Sequence, residues 1–248
     1  MSIPTVVTPT YEVKLHSISK PVKYRPYLVK EEKILLMAQE GTDKDEIERA
    51  VKQVVQNCTF DAINVDTLPF FDLEYLFLNL RAKSVNNLVE LRYECKNKPE
   101  GQLPLGAPDG ICHNIEVMQI NLDDIKLTVP KGHTKKVMLT DTLGCVMRYP
   151  TTKYINVLDD VDDEVDSVGL ISSCIESIYE TTGEVHEAKD STPEEIRTFV
   201  ETLPVVTANK FRAFFDTLPR MVHTLQFRCS KCGYTEDITL SGLLDFFV

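Results

Sequence analysis

The sequence predicts an α+β protein in which two distant β-hairpins hold the halves of one metal site. Three observations support this. Apolar residues recur at helical spacing over residues 28–85 and again over about 154–215. Alternating apolar and polar residues, typical of strands, surround two separate pairs of cysteines. The chain of 248 residues is long enough for one large domain or two small ones.

The N-terminal part is predicted to form short strands followed by helices. After an extended arm, two short strands are expected over residues 11–15 and 22–24. A helix over 28–40 ends at Gly41, and a second helix with one apolar face runs to about Gln56. The next apolar stretch, FFDLEYLFLNLRAKSV, predicts a helix buried at the centre of the fold.

At about Val85 the sequence pattern changes from helical spacing to strand-like alternation. LVELRYEC and NIEVMQINL alternate as strands do, and KKVMLT and GCVMRYP are shorter strand candidates. Helices are then expected in DDVDDEVDSVGLISSCIESIYE, STPEEIRTFVETL and ANKFRAFFDTL. Four segments are predicted: N-terminal strands and helices over 1–84, a β-rich region over 85–150, a helical insertion over 151–219, and a closing hairpin with a terminal helix over 220–248.

Two parts of the chain repeat one order of elements. In each, an alternating strand leads to two cysteines, and a second alternating strand leads to an apolar turn. The strands are ELRYEC and NIEVMQINL in the first part, and TLQFRC and YTEDITL in the second. This order predicts two similar hairpins, arranged like a zinc ribbon, whose cysteine-bearing tips face each other.

The cysteines predict one structural zinc ion. In Cys229-Ser-Lys-Cys232-Gly233 the two intervening residues let both sulfurs point at one metal, and the glycine permits the tight turn. Cys95 and Cys112 are the best-placed source of the other two ligands, because their 16-residue loop joins two adjacent strands. Four protein ligands would close the site, so the metal should stabilise the fold and do no chemistry.

Three alternatives to this site stay open. His113 follows Cys112 directly and could replace it as a ligand, although a solvated imidazole is the simpler interpretation. A redox-active pair would begin a helix, whereas a strand pattern follows Cys232. The cysteines could also be unrelated thiols in turns.

Other candidate residues favour ordinary structural roles. Cys58, Cys145 and Cys174 lie in apolar patterns and are expected to be small buried side chains. The acidic run over 159–166 lacks the glycine and terminal glutamate of a calcium loop and is expected to be a solvated helix start. No combination of residues predicts catalysis, so the chain is not expected to be an enzyme.

Composition excludes some partners and compartments. The net charge is 27 − 38 = −11, which disfavours nucleic acid as a partner because phosphate binding needs clustered cations. No apolar run is long enough to span a membrane, and the N-terminus does not look like a secretory signal. Folding in the cytoplasm is therefore expected, where seven cysteines favour metal over disulfides.

Three stretches also resemble a known family. VKYRPYLVKEEKILLMAQE, LPFFDLEYLFLNLRAKSV and FRCSKCGYTEDITLSGLLDFF are similar to the baseplate hub proteins of T-even-like contractile-tailed phages, and the similarity extends from about Tyr11 to Val248. Its most specific parts are short motifs: Lys30-Glu31-Glu32, Asp72-Leu73-Glu74-Tyr75-Leu76, Arg81-Ala82-Lys83-Ser84-Val85 and the C-terminal cysteine pair with its Leu-Leu-Asp-Phe-Phe ending.

The resemblance implies a protein needed to build the central hub of the tail baseplate, where the tail tube and the tape-measure protein start. It implies synthesis in the host cytoplasm, followed either by incorporation into the virion as a hub subunit or by release as an assembly factor. Partners would be other hub or tail proteins. Phe246, Phe247 and Val248 are expected to contact one of them, because chain ends are usually exposed. A zinc-ribbon module for nucleic acid and an enzyme with an open zinc site are the rival functions.

Overall fold

The computed structural model describes residues 6–41, 44–99, 109–151 and 167–241 and confirms the α+β class. The chain divides into two compact units. The first contains three separate stretches of sequence, Met1–Ile63, Glu74–Thr128 and Arg220–Val248, and the second contains Asn64–Leu73 and Val129–Pro219. The division into the four segments 1–84, 85–150, 151–219 and 220–248 stays a prediction.

The elements are numbered in chain order. The strands are β1 (Tyr11–Val13), β2 (Val22–Tyr24), β3 (Leu88–Glu94), β4 (Ile115–Asn121), β5 (Leu127–Thr128), β6 (Lys136–Met138), β7 (Leu143–Met147), β8 (Ile175–Glu180), β9 (Val185–Glu187), β10 (Arg220–Arg228) and β11 (Thr235–Ser241). The helices are α1 (Val29–Glu40), α2 (Lys44–Cys58), α3 (Phe70–Ser84), α4 (Ser167–Cys174), α5 (Pro193–Glu201), α6 (Val205–Ala208) and α7 (Arg212–Asp216).

Two antiparallel hairpins dominate the first unit. One pairs β3 with β4, and the other pairs β10 with β11. Both have the alternating pattern expected of a sheet with one buried face. Their inner faces share one hydrophobic cluster with the part of α3 that belongs to this unit, including Leu78, Leu91, Ile120 and Leu240. This packing fixes the two hairpins against each other and brings their cysteine-bearing ends together.

The predicted N-terminal elements are confirmed. β1 and β2 pair antiparallel. The apolar face of α2 is buried, with Val54 and Val55 fully inaccessible to solvent. The helix α3 carries Leu76, Leu78 and Leu80 at 1 % exposure or less, as expected from its sequence. Burial of such side chains contributes about 2 kcal/mol each.

The second unit contains a four-stranded antiparallel sheet in the order β6-β7-β8-β9. Its core contains Cys145, Met147, Ile175, Phe211 and Phe214, each at most 2 % exposed. The helix α5 begins as predicted, because the Thr192 side chain accepts from the Glu195 N–H while the Glu195 carboxylate accepts from the Thr192 N–H. No helix of the described residues has the length and apolarity needed to cross a bilayer.

One predicted helix was wrong in its second half. The amphipathic pattern before residue 180 predicted a continuous helix, but α4 ends at Cys174 and residues 175–180 form β8. In the pattern Ile-Glu-Ser-Ile, the side chains of Ile175 and Ser177 are buried and that of Glu176 is exposed, so period-two burial fits as well as a helical face. Pairing with β7 on one side and β9 on the other decides between the two periods.

Several predictions fall on residues outside the described ranges. They concern the start of the N-terminal arm, the acidic run over 159–166, the terminal helix and the proposed contact residues Phe246, Phe247 and Val248.

A buried ion pair joins the start of α1 to the end of α2. The Glu31 side chain is fully inaccessible and accepts from the Arg25 guanidinium at 3.1 Å and from the Leu28 N–H at 2.8 Å. Arg25 in turn donates its backbone N–H to the Cys58 carbonyl. Burial alone would raise the pKa of Glu31, but the hydrogen bonds from Arg25 and Leu28 outweigh it and lower the pKa below its usual value.

We expect Glu31→Ala to lower the free energy of unfolding by about 3 kcal/mol at neutral pH, because it leaves the Arg25 charge buried and unpaired. The stabilisation from Glu31 is present above the usual carboxyl pKa and is lost as the pH falls through its lowered folded-state pKa. Urea unfolding of the wild type and the variant at neutral and acidic pH measures both effects. Glu32→Ala, at the exposed next position, is the control. Equal stabilities for the two variants would contradict the assignment.

Candidate metal centre

The ends of the two hairpins bring the four predicted cysteines together. Cys95 follows β3 and Cys112 precedes β4, while Cys229 and Cys232 lie in the turn between β10 and β11. All four sulfur atoms lie within 4.8 Å of one another. Three of the side chains are buried and Cys232 is partly exposed. The prediction that the distant pairs meet is confirmed.

The spacing of the sulfurs fits a tetrahedral zinc ion. The distance is 3.7 Å between Cys95 Sγ and Cys232 Sγ, and 3.8 Å between Cys112 Sγ and Cys229 Sγ. With zinc–sulfur bonds of about 2.3 Å, the edge of a regular tetrahedron is about 3.8 Å. Each of these two contacts joins one hairpin to the other. A metal bound here would therefore connect the hairpins.

The backbone of the two halves follows one pattern. At the second hairpin, Cys229 N–H donates to Tyr234 O at 2.8 Å and Gly233 N–H donates to Cys229 O at 3.0 Å. At the first hairpin, Cys95 N–H donates to Asn114 O at 2.8 Å and His113 N–H donates to Cys95 O at 3.0 Å. The residue after the second cysteine is left-handed in both, with φ of 74° at Gly233 and 52° at His113. The residues between Cys95 and Cys112 are thus an insertion into the same kind of turn.

Backbone amides favour a thiolate at Cys229. Burial alone would raise the pKa of its thiol, but the N–H groups of Cys232 and Lys231 and the neighbouring thiols lower the pKa to about 6. At Cys95, burial is the largest effect and raises the pKa to about 12. Burial likewise raises the pKa of Cys112. Cys95 and Cys112 therefore favour the protonated thiol, and binding a cation would release their protons.

Two asparagines that sequence reasoning missed donate to the sulfurs. Asn97 Nδ2 lies 3.7 Å from Cys232 Sγ, and Asn114 Nδ2 lies 3.6 Å from Cys229 Sγ. Each asparagine stands two residues after a cysteine of the first hairpin and contacts a cysteine of the second. The repeated Cys-x-Asn was the sequence signal that could have identified them. Such donors orient thiolates and reduce their negative charge.

Glu116 holds the two hairpins together beside the cysteines. Its Oε1 accepts from the Ser230 backbone N–H at 2.6 Å, from the Ser230 hydroxyl, and from Asn114 Nδ2 at 2.6 Å. The Ser230 hydrogen bonds lower the pKa of Glu116, so the carboxylate is charged at neutral pH. Because Ser230 lies between the two cysteines of the second hairpin, this clamp fixes that turn against β4.

His113 does not replace a cysteine. Its Nδ1 contacts the Glu94 carboxylate and its Nε2 contacts Asp109 Oδ2 at 2.7 Å, so both ring nitrogens are engaged by carboxylates. These two contacts raise the pKa of His113. The imidazole is an exposed side chain that ties the end of the insertion to β3.

The other cysteines lie apart from the cluster, as predicted. Cys58, Cys145 and Cys174 are each at most 1 % exposed. Burial raises the pKa of Cys145 to about 12 and is the main cause that raises the pKa of Cys58 and Cys174 to about 11. They are inert thiols packed as small hydrophobic side chains.

We expect Glu116→Ala to weaken metal binding by about 10- to 100-fold, because the turn between Cys229 and Cys232 loses its clamp. Competition with a chromophoric zinc chelator measures the change. Glu90→Ala is the matched control, since Glu90 is an exposed carboxylate of the same hairpin whose contact is with Gln119. Unchanged affinity in Glu116→Ala, or an equal loss in Glu90→Ala, would contradict the role of the clamp.

Comparison with known proteins places the chain in a family. The search of curated proteins and that of solved structures each found no match. A family model described as "T4 bacteriophage base plate protein" matches residues 8–248. The match extends over both structural units and includes all four clustered cysteines. The chain therefore belongs to the T4 bacteriophage base plate protein family.

Proposed function

We propose that this protein is a structural or assembly component of the central hub of the phage tail baseplate, and that one structural zinc ion stabilises it. The ligands would be Cys95, Cys112, Cys229 and Cys232. The observation that carries the metal assignment is that four sulfurs from two hairpins lie within 4.8 Å of one another, with two of their distances close to the edge of a zinc–sulfur tetrahedron. Membership in the baseplate family supports the structural or assembly role.

A closed site supports a role without catalysis. Four cysteine ligands would leave zinc no open position for water or substrate, unlike a catalytic zinc site. The metal would instead supply folding energy by joining parts of the chain that are far apart in sequence. The partners would then be other hub or tail proteins, with the tape-measure protein among the candidates. The expectation that nucleic acid is not a partner rests on the net charge of −11 and stays a prediction.

The zinc assignment predicts about one zinc ion per chain in protein purified without a chelator. Cys95→Ser and Cys229→Ser should each lose the metal and melt at a lower temperature, since each removes a ligand from one hairpin of a shared site. Elemental mass spectrometry and thermal unfolding are the measurements. Cys145→Ser, a buried cysteine of the second unit, should keep its zinc.

The metal contents of these variants distinguish a site shared by both hairpins from a site in one hairpin. Loss of zinc in Cys229→Ser alone would mean that the second hairpin binds metal without the first. A metal-free wild type that melts unchanged after addition of zinc would overturn the assignment. A different metal at the same stoichiometry would keep the four-cysteine site and change only its occupant.

The hub role predicts a defined distribution of the protein during infection. We expect it in purified phage tails at a fixed ratio to the other baseplate proteins if it is a hub subunit. As an assembly factor it would be abundant in the infected host and absent from purified particles. Quantitative mass spectrometry of both samples distinguishes these two forms of the proposal. Normal hub assembly in a phage that lacks the protein would contradict both.

A further inference from the structure

In the β3–β4 hairpin, the hydrogen bonds at the two ends show which residue pairs are hydrogen-bonded and which are not. Leu122 N–H donates to Asn87 O at 2.7 Å at one end, and Cys95 N–H donates to Asn114 O at 2.8 Å at the other. The register between these bonds is continuous. Because hydrogen-bonded and non-hydrogen-bonded pairs alternate in an antiparallel ladder, Val117 occupies a non-hydrogen-bonded position. Its backbone N–H and C=O therefore point away from β3.

The same alternation applies to the residues two positions before and two positions after Val117. Ile115 and Gln119 also direct their backbone groups away from β3. Within the described part of the chain, β3 is the only strand that pairs with β4. Among the described residues, these three backbone donors and acceptors on the β4 edge have no strand partner.

Apolar side chains stand beside these open groups. Ile115 is 61 % exposed and Val117 is 55 % exposed. β-Branched residues of this kind are the usual side chains of paired strands. An exposed edge of seven residues without lysine or proline is suited to pairing with another strand.

The edges of the other two described seven-residue strands, β3 and β11, carry polar side chains. On β3, the residues at the corresponding positions include Glu90, Arg92 and Glu94. On β11, Cys229 N–H donates to Tyr234 O, and the continuous register then leaves Thr235, Asp237 and Thr239 at the open positions. Charged and hydroxyl side chains disfavour pairing with a second chain. Among the described seven-residue strands, β4 is therefore the edge most suited to pairing.

The sequence of β4 is complementary to itself in the antiparallel direction. If two copies pair about Val117, then Val117 faces its counterpart, Ile115 faces Gln119, and Glu116 faces Met118. No two like charges are opposed along this line, and the central pair is aliphatic. The two-fold arrangement gives the isologous contact that is usual in symmetric dimers.

We propose that β4 is the contact strand of a homodimer, in which two copies of this chain join their β3–β4 hairpins edge to edge. The resulting four-stranded sheet has the order β3-β4-β4-β3, with Val117 on the two-fold axis. The backbone groups of Ile115, Val117 and Gln119 supply the hydrogen bonds. The proposal concerns assembly of the chain itself and does not depend on the hub role.

Sedimentation analysis of the full, metal-loaded chain up to about 100 µM tests the proposal. The wild type should form a dimer that dissociates on dilution, and Val117→Lys should be monomeric. Thr239→Lys, the same change on the open edge of β11, is the matched control and should remain dimeric. Metal content and melting temperature of both variants show whether each one is folded.

Amide hydrogen exchange provides a second readout, because it reports which backbone N–H groups of β4 are hydrogen-bonded. The Val117 N–H has no ladder partner in the isolated hairpin, so its protection should rise with protein concentration in the wild type. In Val117→Lys the neighbouring amides of Ile115 and Gln119 should exchange fast at every concentration. A wild type that stays monomeric would overturn the proposal. A dimer that persists in folded Val117→Lys, or that is lost in Thr239→Lys, would also overturn it. If the protein stays monomeric and β4 gains protection only when another tail protein is added, the edge would belong to that partner instead.

Discussion

The first structural unit depends on the meeting of four sulfur atoms from hairpins that are far apart in the chain. Cys112 and Cys229 are separated by 117 positions, yet their sulfurs lie 3.8 Å apart. Closing a flexible loop of that length costs about 4 kcal/mol of chain entropy. A zinc ion bound as proposed would more than offset this cost, because structural zinc in small domains binds with about 10–16 kcal/mol. Apolar packing of the hairpins against α3 adds to the same closure.

The surroundings of the cysteines explain why thiols can be gathered there before any cation binds. Four thiolates at van der Waals distance would repel one another strongly, and burial disfavours their charge. Burial favours the protonated form of Cys95 and Cys112, and amide hydrogens are directed at Cys229, while Asn97 and Asn114 donate across to the second hairpin. Glu116 places its charge on the Ser230 amide and hydroxyl, so it stabilises the turn without being one of the clustered ligand groups.

The sequence could predict those parts of the fold and site in which local chemistry is decisive. Cys229-Ser-Lys-Cys232-Gly predicted a metal turn because short spacing and a left-handed glycine restrict the backbone to few conformations. The partners Cys95 and Cys112 required a second inference, that the strands on either side pair with each other. β8 was missed because Ile175 and Ile178 have helical spacing, whereas the burial of Ile175 and Ser177 follows the period of a strand. Pairing with β7 and β9 selects the strand. The Glu116 clamp was unpredictable, since Glu116 and Ser230 are 114 residues apart in sequence and nothing local relates them.

The first unit consists of three separate stretches of sequence, so its parts are synthesised at different times. Two of its strands, β10 and β11, follow the whole of the second unit in the sequence. Ribosomes add about 5–20 residues per second. Between Cys112 and Cys229 the nascent chain therefore spends on the order of 10 seconds with α3 and the β3–β4 hairpin already made but without the second hairpin that shares their hydrophobic cluster. The cysteine cluster can therefore complete itself only after the whole of the second unit has been synthesised.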